Sequence, residues 1–151
     1  MTRTYHGTKT EVRSLNTYVK LMRAAEAVST RVTRHLAESG LTTSQFAVLE
    51  ALHHLGPLCQ RDIGKKILKS GGNITVVIDN LEKRGLVSRL RGTEDRRFLT
   101  VQLTSDGERL IAGVFPPHAE AIIREMEVLS EEEQIELGRL CKKLGLGSKV
   151  E

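Results

Sequence analysis

The chain has 151 residues, 39% of them hydrophobic and only 3% aromatic, with no Trp and a formal net charge of +4. That length fits one compact domain, and the mild positive bias is compatible with duplex DNA as a partner without establishing it. No apolar stretch approaches the ~20 residues of a membrane span. The start, Met1-Thr2-Arg3-Thr4-Tyr5-His6, lacks the apolar run of a secretory signal, and Cys59 and Cys141, far apart and in no metal spacing, make no disulfide framework.

From Glu11 to Glu38 apolar residues recur at steps of three or four (Leu15, Tyr18, Val19, Met22, Ala25, Val28, Val32, Leu36), the stripe of one long helix that Gly40 ends. A second helix starts at a capping box, Thr42 with Gln45, flanked by a hydrophobic staple of Leu41 and Phe46, and stops at Gly56-Pro57. Leu58-Cys59 adds a short extended piece. Gln60 to Lys69 reads as a short helix broken by Ser70-Gly71-Gly72. The helix from Gly72 to Arg84 has the cleanest stripe in the chain, Ile74, Val77, Ile78 and Leu81, and Gly85 closes it. Within it, Asp79 is expected to pair with Lys83 at i+4.

Two strand-like runs follow, Leu86 to Arg91 and Phe98 to Leu103, joined by residues 92–97 as a loose, charged hairpin. Thr104 caps the next helix, with Asp106 and Glu108 in its first turn. Pro116-Pro117 is expected to kink or break that helix before it resumes through Ile122, Ile123 and Met126. Ser130 and Glu133 form a second capping box, opening a last helix that runs to Gly145 and carries Cys141 on its apolar, core-facing side.

A helix followed directly by a basic-tipped hairpin supplies one element for the DNA major groove and one arm for the minor groove beside it. The fold class is therefore mainly α with a small β-hairpin wing (α+β), a winged helix-turn-helix with helical extensions. Residues 1–151 read as a single domain, with 42–103 as the DNA-binding block. The helices in 11–38 and 105–145 carry more apolar face than one small domain can cover, which points to a homodimer.

The wing reads Asp95-Arg96-Arg97-Phe98-Leu99-Thr100-Val101-Gln102-Leu103-Thr104, a complete Asp-x-Arg-x-x-x-Val-x-Leu-Thr motif. Together with the run Gly72 to Val87, it resembles the MarR (multiple antibiotic resistance regulator) family over roughly Leu15 to Leu144. The resemblance implies a homodimeric transcription factor, usually a repressor, on a pseudo-palindromic operator. It also implies release by a small molecule or by thiol oxidation.

Candidate DNA contacts fall on two elements. At the start of the recognition helix, Ser70, Asn73 and Thr75 suit bases or phosphate, Val76 suits a thymine methyl, and Gly71-Gly72 lets the backbone approach a phosphate. The plain alternative is that Ser70 caps the helix and the glycines only turn. On the wing, the resemblance sends Arg97 into the minor groove with Asp95 aligning its guanidinium; Arg96, Arg91 and Arg89 touch phosphate or brace the hairpin. The alternative there is a solvated charged turn.

The sensor is less legible. The resemblance implies phenolic or aromatic acids bound between the first helix and the DNA-binding block, with Tyr18, Met22, His35, His53 and His118 as candidate liners, each otherwise a core or rim residue. Cys59, near Arg61, is the alternative thiol sensor or simply a small apolar residue. Leu21 to Ala25 and Gly72 to Leu81 are similar to members that respond to quinones and other electrophiles. Adjacent His53 and His54 point about 100° apart on a helix and chelate one ion poorly, so no metal is expected. No nucleophile-elbow or phosphate-loop motif is present, so no catalytic residue, enzyme activity or cofactor is expected. Scarce aromatics argue against stacking on single strands. Reduced thiols make the cytoplasm the expected location, with no membrane partner. Rival readings are a ligand-independent regulator, an activator, or a winged helix used as a protein-interaction module.

Overall fold

The computed structural model describes residues 5–67, 74–92 and 98–147. In chain order the elements are α1 (Lys9–Thr33), a 3₁₀ segment (Arg34–Ser39), α2 (Thr43–Leu55), β1 (Leu58–Cys59), α3 (Gln60–Lys66), α4 (Ile74–Lys83), β2 (Val87–Arg91), β3 (Leu99–Leu103), α5 (Ser105–Met126) and α6 (Glu131–Leu146). The protein is thus mostly helical with a small antiparallel sheet, as expected. It divides into two units, Thr33–Glu120 and a second made of Met1–Val32 with Ala121–Glu151.

Within Thr33–Glu120, the core is aliphatic apart from Phe46. Leu36, Leu41, Phe46, Val48, Leu49, Leu52, Ile63, Ile74, Ile78, Leu81, Leu86, Val87, Val101, Ile111 and Val114 form one buried cluster. The α4 stripe supplies Ile74, Ile78 and Leu81, so its apolar period of three and four becomes the buried face. α2 opens with the expected capping box: the Gln45 N–H donates to Thr42 Oγ1 at 3.1 Å and the Thr42 N–H donates to Gln45 Oε1 at 3.0 Å. The staple pair, Leu41 and Phe46, is buried.

The sheet runs β1-β3-β2. Val87 to Arg91 of β2 face Leu103 to Leu99 of β3, and Leu58 and Cys59 of β1 face Val101 and Thr100. The hairpin is fastened at its base. Thr104 Oγ1 donates to the Gly85 carbonyl at 2.6 Å, and the Thr104 N–H donates to the Leu86 carbonyl at 3.1 Å. The same hydroxyl accepts from the Gly107 N–H at 3.1 Å, which caps α5. A Cβ at Gly107 would lie 1.9 Å from the Leu86 carbonyl oxygen, so only glycine lets α5 start this close to the chain leaving α4.

Three expectations are corrected here. The first helix does not stay α-helical to Glu38: it tightens to 3₁₀ after Thr33. Gly40 (φ 67°) then ends it, with Gly40 N–H to Ala37 O and Leu41 N–H to Leu36 O collecting the last carbonyls. Pro116-Pro117 does not break α5, which runs as one element from Ser105 to Met126. The prolines and the residues whose carbonyls lose their donors, Ala112 and Gly113, are all exposed, so water replaces the missing N–H groups.

In the other unit, Arg31 Nε donates to Glu125 at 2.7 Å. The Gln134 amide donates to the Met126 and Leu129 carbonyls and closes the α5–α6 turn. α6 opens on Ser130 and Glu133, whose reciprocal bonds are 3.2 and 2.8 Å. The third correction lies here. Cys141 is exposed, not core, because no residue of α6 is buried. Leu137, Leu140 and Leu144 stay open along one side of α6 and Ile135 on the other, and Leu15, Tyr18, Val19 and Met22 stay open on α1.

Candidate nucleic-acid interface and sensor residues

α4 turns its apolar side inward, which leaves Thr75, Val76, Asn80 and Lys83 exposed on the other side. Val76 is 56% exposed. Thr75 is not isolated. The Gln60 amide of α3 donates to its hydroxyl at 2.8 Å, so the two helices of the helix-turn-helix are tied at the outward surface. The threonine hydroxyl keeps its proton to donate. Arg61, Lys65 and Lys66 are exposed on α3.

On the wing, Arg91 is exposed and faces Leu99 across the hairpin. Two roles are expected for Arg89, touching phosphate or bracing the hairpin. Its Nη2 lies 2.5 Å from Asp79 Oδ1 and its Nη1 lies 3.1 Å from Glu82 Oε1, both on α4. Its backbone N–H donates to the other Glu82 oxygen at 3.1 Å. Arg89 therefore braces the hairpin, and Asp79 pairs with it rather than with Lys83. The reason is reach: the hairpin brings the Arg89 fork onto α4, and a bidentate arginine outcompetes a flexible lysine one turn away. Ser70, Gly71, Gly72, Asn73, Asp95, Arg96 and Arg97 lie outside the described residues.

Sequence reasoning missed Gln60, Glu82 and Arg84. Arg84 donates to the Gly40 carbonyl at 2.8 Å, tying the end of α4 to the turn before α2. A cation in the last turn of α4 was legible, but its target, far away in the chain, was not.

The sensor candidates fall into separate places. His118 is buried against Phe46, with ring centroids 4.3 Å apart, and His35 is 5.2 Å from it. Neither ring nitrogen of His35 nor Nδ1 of His118 has a hydrogen-bond partner. Burial, and then the neighbouring His35, pushes the His118 pKa below its ordinary value. A cavity of about 260 Å³ opens beside them, lined by His35, Glu38, Ser39, Gly113, Val114 and Pro117. His53 instead meets Glu108 at 2.7 Å and packs beside His54. Tyr18 and Met22 are exposed on α1. Cys59 is a half-buried free thiol beside a cavity of about 330 Å³ that Gln60, Arg61, Phe98 and Leu99 also line. Among the described residues no three His, Cys, Asp or Glu side chains gather as a metal site, and no helix is long and apolar enough to cross a membrane.

A sequence model of the MarR family matches residues 41–98, from the start of α2 to the return strand of the wing. The HTH-type transcriptional regulator MhqR of Bacillus subtilis (strain 168) is 38% identical over 137 residues, 91% of this chain and 94% of that protein. This chain belongs to the MarR family. As a MarR-family protein it is a DNA-binding transcriptional regulator built on a winged helix-turn-helix. Two solved structures align along most of its length. BpsR of Bordetella bronchiseptica, whose DNA binding is regulated by 6-hydroxynicotinic acid, has a TM-score of 0.78 and 26% identity over 86% of this chain and 98% of its own. NadR in complex with 4-hydroxyphenylacetate has a TM-score of 0.73 and 26% identity over 100% of this chain and 99% of its own. The relatives found in this way are named as regulators rather than enzymes.

Proposed function

We propose that this MarR-family regulator is a cytoplasmic homodimeric repressor. It grips a pseudo-palindromic operator and lets go when a small phenolic or quinone-like molecule binds or a thiol is modified. The observation that carries the DNA-contact reading is the outward side of α4, with exposed Thr75 and Val76 beside a wing fixed to the same helix. In this reading Ser70, Gly71, Gly72, Asn73, Thr75 and Val76 read the major groove. Arg97, aligned by Asp95, enters the minor groove, and Arg91 and Arg96 hold phosphate.

Residues 42–103 act as the DNA-binding block, and the helices in 11–38 and 105–145 pair two copies. The open apolar side chains of α1 and α6 support that pairing, since exposed apolar stripes of this kind are otherwise left in water. The ligands of BpsR and NadR, both hydroxylated aromatic acids, support a small aromatic effector. His35 and His118 offer unpartnered ring nitrogens to such a molecule, and Cys59 offers a thiol.

The test is a fluorescence-anisotropy titration on duplex DNA from upstream of the protein's own gene, repeated with 4-hydroxyphenylacetate, 6-hydroxynicotinic acid and benzoquinone. Salt-sensitive, selective binding abolished by one of the three supports the reading. Selective binding that all three leave intact removes the proposed triggers. Benzoquinone release that survives in Cys59→Ser removes Cys59 as the sensing thiol, and release that survives in Cys59→Ser with Cys141→Ser removes the thiol route.

A further inference from the structure

Two carboxylates stand on α4 in the half of the protein proposed to meet a polyanion. Asp79 and Glu82 are 46% and 43% exposed, whereas the Arg89 side chain between them and β2 is only 16% exposed. Arg89 holds both, one with each terminal nitrogen, and Glu82 also takes the backbone N–H of Arg89. Glu82 is thereby bonded at both oxygens, and the strand is pinned to the helix by its backbone as well as its side chain. The residue facing Arg89 across the hairpin is Val101, which is fully buried, so the wing rests on the core at the level where the fork grips α4.

Apolar contact between a helix and a strand is non-directional and tolerates sliding. A planar fork on two carboxylates does not. We infer that Arg89 is a positioning residue: clasped by Asp79 and Glu82, it sets the angle between α4 and the wing, and so makes the protein prefer its own site over arbitrary DNA. This rests on the reading of α4 and the wing as the contact surface. The three charged groups sum to one negative charge, so the device costs phosphate attraction. Its benefit is geometry.

That sign separates the two roles Arg89 could play. The double variant Asp79→Asn with Glu82→Gln removes two negative charges near DNA. If charge is all that matters, it binds every duplex more tightly. If Arg89 positions the wing, binding to a preferred duplex weakens while binding to a scrambled duplex holds or rises.

The experiment titrates wild type, the double variant and Arg89→Lys against a duplex selected by the wild type from a random pool, and against its scrambled version. Thermal melting is followed in parallel. The expected result is a ratio of selected to scrambled affinity that falls about tenfold or more in both variants, the scale of one lost base contact. Lysine keeps the charge but not the fork, so Arg89→Lys also carries the test if the double variant does not fold. A ratio that stays at the wild-type level in folded variants overturns the inference. A wild type that selects nothing from the pool overturns the contact-surface reading instead, and that outcome is visible before any variant is measured.

Discussion

His118 packs its imidazole on Phe46 at 4.3 Å between ring centroids, inside the unit that carries the winged helix. Its Nδ1 finds no partner there, and burial followed by the approach of His35 keeps its pKa below the ordinary value. The neutral ring is therefore the one the fold prefers. An unfolded chain binds this proton at about pH 6.5, and the folded chain binds it only at lower pH. Between those two values the unfolded state holds more protons, so stability falls as pH drops below about 6.5 and the loss is complete below the folded pKa. Urea denaturation at pH 7.5 and pH 5 should show this decline, and His118→Phe should flatten it while keeping stability at pH 7.5. An equally steep decline in His118→Phe would assign the acid sensitivity to other groups.

Replacing Gly107 with Ala should cost stability at the upper end of the about 1–3 kcal/mol typical of overpacking, or more. The added methyl would meet backbone, the Leu86 carbonyl, rather than a side chain that can swing away. Denaturant midpoints compare the two proteins directly. A midpoint unchanged from wild type would mean that α5 can slide at its first turn.

Arg97→Ala should weaken binding to the preferred duplex by about tenfold or more, with melting temperature unchanged. The wing motif around Asp95 and Arg97 is the basis for this expectation. Unaltered affinity in an anisotropy titration would remove Arg97 from the contact surface.

A chain ending before Ser130 loses α6, none of whose residues is buried. The aliphatic core of Thr33–Glu120 should still unfold cooperatively, because it takes nothing from that helix. Light scattering should report monomers, and tight binding to a palindromic duplex should be lost. A truncated protein that remains a dimer would refute the assignment of α6 to the pairing surface.

Much of the fold was readable because its signals are local. The Thr42–Gln45 and Ser130–Glu133 boxes, the α4 stripe and the two runs of the hairpin each depend on neighbours within a few residues, and each appears where expected. One box of the same kind was overlooked. Thr8 and Glu11 exchange bonds of 3.2 and 2.7 Å at the start of α1.

What stayed hidden needs distant parts of the chain. The Arg89 clasp on Asp79 and Glu82 exists only once the hairpin has folded back on α4, and the helical i+4 rule pointed Asp79 at Lys83 instead. The His35–His118–Phe46 cluster joins the 3₁₀ segment, α5 and α2. Cys141 shows a different limit: periodicity tells which face of a helix is apolar, not whether anything covers it.

The capping boxes at the starts of α1 and α6 have a consequence for association. Each closes its first turn with bonds between residues three apart, so neither depends on a tertiary contact to begin. α6 is helical along Glu131–Leu146 without burying a single side chain. A partner surface that covered Leu137, Leu140 and Leu144 would thus meet a ready-made ridge and not a coil. Much of the ordering entropy of that encounter has been spent beforehand, within the single chain.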